Sequence, residues 1–227
     1  MTRRTGRTFD ASVVVGTEQF AVDLTGVAAD ASVTPETNQT RQATMGNRYE
    51  NALNHSVTHN IEIGTLYIGQ ETDDLNAQRL VDDKRVMLAN PKSNWAYVMD
   101  IVWPGFGENA PTTAEIVTAA SFMQAQKLWT AVDSKAVTEF SLDADSATEM
   151  IGDLAVNDDI FLVVTSFNLD SAQDIDVGGV SQSVGRPGFW HIGTRASVAA
   201  GATIDGGTLE NAEQIEGFVL AVQEVTY

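Results

Sequence analysis

Cysteine is absent from the 227 residues. Disulfide frameworks, thiolate zinc sites and cysteine nucleophiles are excluded with it. Lysine is scarce, 4 residues beside 9 arginines, and the 13 basic residues face 31 Asp and Glu, for a formal charge of −18. That shortage argues against nonspecific grip on nucleic acid, which takes clustered Lys and Arg against phosphates. No apolar run approaches the roughly 18–20 residues that cross a bilayer, and the arginines of the first ten residues precede no apolar stretch of the signal-peptide kind. No membrane partner is expected.

Catalytic signatures are equally thin. The chain holds no G-x-S-x-G, no Gly-Lys-Ser/Thr, and no G-x-G-x-x-G between a strand and a helix. Histidine occurs 3 times. His55 and His59 are four apart, a metal spacing on a helix, but the pattern around them is β, where four residues span about 13 Å. His191, between Trp190 and Ile192, reads as a packed residue. Asp143 and Asp145 open like a calcium loop, yet Ala147 and Thr148 stand where a third ligand and a glycine are needed. We therefore expect no enzyme, no cofactor and no metal.

What is abundant is acid, with 18 Asp to 13 Glu. High Asp, Ala, Val and Thr with little Lys resembles the composition of haloarchaeal proteins. Self-repulsion in so charged a chain is the cost of its solubility, and at molar salt a Debye length of about 3 Å removes most of it. The charge is unevenly spread. Arg3, Arg4 and Arg7 form a basic arm over residues 1–9, whereas Ala136 to Gly185 contains neither Lys nor Arg.

Apolar content of 43% suffices for a core, and the pattern is mainly period two. Trp95, Tyr97, Met99, Ile101 and Trp103 share one strand face. Phe20, Val22 and Leu24 share another, as do Val57, Ile61 and Ile63. Ile160 to Phe167 reads as a strand buried on both faces, and Phe189 to Ile192 as a strand opened by Pro187-Gly188. At the C-terminus Ile215, Val219 and Ala221 alternate with Phe218, Leu220 and Val222. Helical spacing predicts two α-helices. The first, about 73–88, carries Ala77, Leu80, Val81, Lys84 and Leu88 at i, i+3, i+4, i+7 and i+11. The second, about 113–127, has a Thr112/Glu115 capping box and a stripe of Ile116, Ala119, Ala120 and Met123. A short third is allowed near Ser146 to Leu154. The expected fold is mainly β, a sandwich or barrel over residues 10–227 with one or two flanking helices, an α+β chain. Residues 35–54 are polar and weakly patterned, too long for an ordinary connection, and read as an exposed arm made to touch something else.

Residues Asp10 to about Ile68 resemble the opening of tail tube proteins of siphovirus-type tailed viruses. The likeness lies in order: a short strand at Ser12–Val15, a second through Phe20–Leu24, small residues from Thr25 to Val33, a polar arm with Glu36, Thr40, Met45, Gly46 and Arg48, then a long strand from Ser56 to Ile68. The resemblance implies a structural virion protein, a tube subunit whose hexameric rings stack and conduct DNA without binding it specifically. Its partners would be further copies of itself and other virion proteins, its place the virion tail, its assembly the host cytoplasm. Inter-subunit contacts are then expected at Arg3, Arg4, Arg7, Arg41, Met45, Arg48 and Tyr49. Two other readings fit the same β content: a capsid decoration or turret protein, and an extracellular carbohydrate-binding sandwich using Trp95, Trp103, Trp129 or Trp190 as a sugar platform.

Overall fold

The computed structural model describes residues 12–18, 20–26, 28–42, 51–66, 84–109, 118–131, 136–142, 148–150, 159–194, 196–198, 203–205 and 215–226. Fifteen strands fall within them. The first half holds β1 (Ser12–Thr17), β2 (Phe20–Asp23), β3 (Ala28–Gln42), β4 (Asn51–Leu66), β5 (Lys84–Asn90), β6 (Trp95–Asn109) and β7 (Thr118–Ala131). The second holds β8 (Val137–Leu142), β9 (Thr148–Met150), β10 (Asp159–Phe167), β11 (Gln173–Val177), β12 (Val180–Val184), β13 (Gly188–Thr194), β14 (Thr203–Asp205) and β15 (Ile215–Glu224).

The larger sheet follows the path β13–β10–β15–β7–β6–β5–β1–β2, all antiparallel where registers are defined. It curls until β1 and β2 lie against β13, which nearly closes a barrel. Gly188 stands at this seam. A β-carbon there would come within 2.8 Å of the Trp190 ring and 3.0 Å of the Glu18 carbonyl oxygen, so only glycine admits the approach.

Three apolar clusters follow from the alternation of side chains along these strands. Val14, Met87, Val98, Phe161, Phe189 and Leu220 come from strands all round the path and fill the barrel. On the outside of the β10–β15 wall, Ile160, Leu162, Val219 and Ala221 meet Ile175, Val177 and Val184 of a second, four-stranded sheet ordered β12–β11–β14–β9. On the outside of the opposite wall, Val13, Val15, Val86, Leu88 and Met99 meet Val22, Leu24, Ile61 and Ile63. Strands β5, β10 and β15 are therefore buried on both faces, which is why they read as apolar runs.

The period-two faces expected for Phe20/Val22/Leu24, for Met99/Ile101/Trp103 and for the two parities of the C-terminal strand are those observed. The helices are not. Of the helix expected over about 73–88, residues 84–88 belong to β5, with Val86 and Leu88 on one face and Met87 and Ala89 on the other. When both parities are apolar, period two and period 3.6 cannot be separated by spacing. Of the helix expected over about 113–127, residues 118–127 belong to β7. There Ser121 and Met123 are buried while Phe122, Gln124 and Gln126 are exposed, a strand alternation that pairing with β4 and β6 imposes on good helix formers. The third helix meets β9 at 148–150. The remaining residues of these three segments lie outside the described set. The helical element among the described residues is a 3-10 turn at Pro91–Ser93, capped by the Asn90 side chain accepting from the Ser93 N–H at 3.0 Å.

Candidate assembly surface

The segment expected as a loose polar arm begins and ends as ladder. β3 and β4 pair residue by residue from Ala28↔Thr65 out to Gln42↔Asn51, with bulges at Ala28/Asp30 and Asn38/Gln39. The first bulge is held by Asp30, whose carboxylate accepts from the Gly64 N–H at 2.9 Å. A β-carbon on Gly64 would lie 2.2 Å from that oxygen, so the close approach requires glycine.

β4 also pairs with β7, but only from His59↔Ala125 to Leu66↔Thr118. Beyond that point, among the described residues, the hairpin is a two-stranded ribbon. Eight residues, Pro35 to Gln42, carry it outward, about 26 Å at 3.3 Å per residue. Two-stranded ribbons are marginal by themselves in water.

β3, β4, β7 and the outer part of β6 make a four-stranded sheet whose two edges are open among the described residues. Among the described residues β3 pairs with β4 alone, and β6 beyond Ile101 pairs with β7 alone. Trp103 and Pro104 share a bulge between Val102↔Gln124 and Gly105↔Phe122, a place where a residue without an N–H is tolerated. One face of this sheet, with Ile61, Ile63 and Met123, is buried in the body. The other is bare and carries Ser32, Thr34, Glu36, Glu62 and Gln124. Asn60 donates from Nδ2 to Glu36 at 2.9 Å across it. Two large apolar groups break this polar face, Val102 at 44% and Phe122 at 46% exposure.

At the root of the ribbon, on its inner face, lies an apolar groove of about 460 Å³ lined by Val33, His59, Leu88, Trp95, Tyr97 and Leu128 among others. The Trp95 and Tyr97 rings meet at 5.8 Å between centroids, tilted by 49°. His59 is 8% exposed, and burial lowers its pKa from the ordinary histidine value.

Of the residues expected in contacts, Arg41 takes its place in β3 opposite Ala52. Arg3, Arg4, Arg7, Met45, Arg48 and Tyr49 lie outside the described residues. The sequence does not single out Val102, and the helix expected over about 113–127 hides the strand parity of Phe122. The alternation Ser121-Phe122-Met123-Gln124-Ala125-Gln126 was the available signal.

His191 does structural work. His191 Nε2 lies 3.0 Å from Asp159 Oδ1, and its ring packs on Phe161 at 4.9 Å. Asp159 Oδ2 accepts from Trp129 Nε1 at 2.8 Å. Arg85 sits over the same Phe161 ring at 5.6 Å and bonds Asp100 at 2.8 Å. This network closes one end of the barrel, and no nucleophile joins it among the described residues. Three of the four tryptophans, Trp103, Trp129 and Trp190, are buried in the core and offer no sugar platform.

No protein-family model matches the sequence, and no curated protein matches it. Among solved structures the chain is similar to one from the tail of an empty gene transfer agent particle refined with C6 symmetry, at 10% identity and a TM-score of 0.40, over 54% of this chain and 94% of that one. It is similar to the SPP1 Dit protein, described as a hub of the adsorption apparatus in phages of Gram-positive hosts, at 9% identity and 0.38, over 94% and 99%. It is similar to a chain of the phage p2 baseplate at 6% identity and 0.36, over 92% and 97%. Likeness at this level carries no assignment.

Proposed function

We propose that the protein is a structural subunit of a virion tail, assembling into rings by edge-to-edge pairing of its four-stranded sheet. The observation that carries this reading is the pair of edges that are open among the described residues. β3 and the outer part of β6 run in opposite directions, because three antiparallel steps separate them. Setting the β3 edge of one copy beside the β6 edge of the next keeps the alternation unbroken. Such a contact is heterologous, and closing it by rotation makes a ring. Exposed edges are otherwise a hazard that proteins blunt or cover.

The geometry also supports a choice of which side faces in. Each copy's body covers one face of its sheet, so the bare face becomes the inside of the joined barrel. Six copies would give a barrel of about 24 strands, wide enough for a lumen. Glu36 and Glu62 would line it, and no Lys or Arg stands among the described residues of that face. Such a wall does not hold phosphates, so DNA would slide. The resemblance of residues 10–68 to tail tube proteins supports reading this ring as one layer of a stacked tail tube. A terminal ring of the tail would use the same edges.

The test is negative-stain electron microscopy of wild type and Val102→Lys at molar salt. Val102 is exposed, so the subunit should fold, with unchanged circular dichroism, while a charge at the edge blocks pairing. We expect six-fold rings or tubes from wild type and single subunits from the variant. Trimers or pentamers from wild type would move the reading to a capsid decoration protein, and rings from Val102→Lys would sink the edge-pairing mechanism.

A further inference from the structure

The two ends of the barrel are finished differently. Arg85 and Asp159 stand at the end closed by the network around Trp129 and His191. Ser12, Thr165 and Glu216 stand at the other end of the same strands. There β8 replaces β7 beside β15. The Ala221 N–H donates to the Ala136 carbonyl at 2.6 Å. By alternation, residues 138, 140 and 142 spend their backbone groups on β15, and 137, 139 and 141 turn theirs away. Asn94, held at φ 46°, takes one of these groups, its Oδ1 accepting from the Val137 N–H at 3.2 Å. Among the described residues no strand pairs with this edge at Glu139 or Ser141. The unspent edge borders a groove of about 530 Å³. Glu139, Ser141 and Glu216 line it from β8 and β15, and Ser12, Asp23 and Thr25 from β1, β2 and the turn after β2. No Lys or Arg lines it among the described residues.

We infer that this groove binds an extended, basic segment of another protein, which adds a strand to the free edge of β8. An open edge supplies affinity through main-chain hydrogen bonds, and the surface beside it selects side chains. Residues of an added antiparallel strand that stand opposite Glu139 and Ser141 share their face and turn their backbone toward β8. Their side chains therefore enter the groove, where Asp23, Glu139 and Glu216 are exposed. Arginine meets such carboxylates with a two-pronged, charge-assisted contact, and opposite charges across a ladder add to pairing. The same carboxylates repel an acidic segment, which keeps the edge from joining the acidic body of a further copy. The site shares no residue with the β3 and β6 edges, so it does not depend on the ring reading.

The test is fluorescence anisotropy of the whole chain with a labelled peptide, Thr-Arg-Val-Arg-Val-Thr. It is run at the lowest salt that preserves the circular dichroism of the folded protein. Two control peptides accompany it. One replaces both arginines with glutamate. The other keeps them but is N-methylated at both arginine amides, which removes the N–H groups aimed at β8 and leaves the charge. The basic peptide should bind at least about tenfold tighter than either control. Glu139 is exposed, so Glu139→Lys should fold, and it should weaken binding at least about tenfold. Asp174→Lys makes the same charge change at an exposed site on β11 and should stay within about twofold of wild type. Equal affinity for the N-methylated peptide, or equal losses in the two variants, would reduce the effect to charge attraction and overturn the strand-addition site. Binding that appears only after removal of residues 1–9 would assign the groove to the chain's own basic arm and overturn the partner. Absence of binding in both forms would also overturn it.

Discussion

β10 with β15, and β3 with β4, are both long antiparallel pairs, yet they are built for different ends. Along β10, Ile160 to Val164 are all buried, and β15 buries Phe218 through Val222. Each strand serves two apolar clusters at once, so its register is fixed from both sides. In β3, Ala31, Ser32, Thr34, Pro35, Glu36 and Thr37 are exposed, and the strand has a partner along one edge. The first pair holds the molecule together. In the second, residues 30–32 and 34–37 of β3 are left uncovered by their own subunit. Ordered backbone without burial is costly, at about 1–2 kcal/mol per residue, and the natural offset is a surface on another subunit.

Substitutions that test each pair should therefore diverge most at the core. Phe161→Ala opens a cavity inside the barrel, under Trp129, His191 and Arg85, and should cost about 3–5 kcal/mol. Val33→Ala on the half-buried hairpin should stay within about 1 kcal/mol. Thermal unfolding at molar salt measures both. Equal losses would mean that the ribbon contributes to subunit stability as much as the barrel does. Next in size is Asp159→Ala. Trp129 is 4% exposed, and the variant strands its Nε1–H without the carboxylate. A loss of about 1–3 kcal/mol is expected, with the hairpin's hydrogen-exchange rates unchanged. Faster exchange in β3 and β4 would show that the two regions open together.

The body was largely legible in the sequence because its strands carry their burial in their spacing. Trp95 to Trp103, Ile160 to Phe167 and Ile215 to Val222 each announce which parity faces which cluster. Residues 84–90 and 118–127 were not, for a physical reason. Lys, Leu, Met, Ala and Gln are strong helix formers; β5, buried on both faces, offers no alternation to contradict them, and in β7 the large apolar Phe122 on the exposed face blurs the alternation that is there. What decides these segments is pairing with β1 and β4, partners many residues distant, together with the neighbouring β6. The assembly surface was legible only as a place. Polar residues 35–54 marked an arm, but small and polar side chains do not show that the backbone forms a ladder. Open edges belong to topology, so no residue type signals them.

The smallest expected effect sits where the two regions join. His59 is the last β4 residue paired to β7 before the ribbon leaves the body, and it lines the groove. Burial lowers its pKa below the ordinary value of 6.5, since desolvation disfavours the charged ring. In the unfolded chain the ring takes up a proton near pH 6.5, while the folded protein resists. Stability from this residue is thus complete above about pH 6.5 and declines as pH falls, until the folded-state ring also titrates. No change is expected on raising pH from 7 to 8. His59→Gln should flatten the decline without altering stability at pH 8 by more than about 1 kcal/mol. Hydrogen exchange across β4 locates the effect. If acidification speeds exchange first at residues 51–58 and leaves β10 and β15 protected, His59 couples protonation to the hairpin root alone. Uniform acceleration would tie it to the barrel and erase the boundary between the two regions.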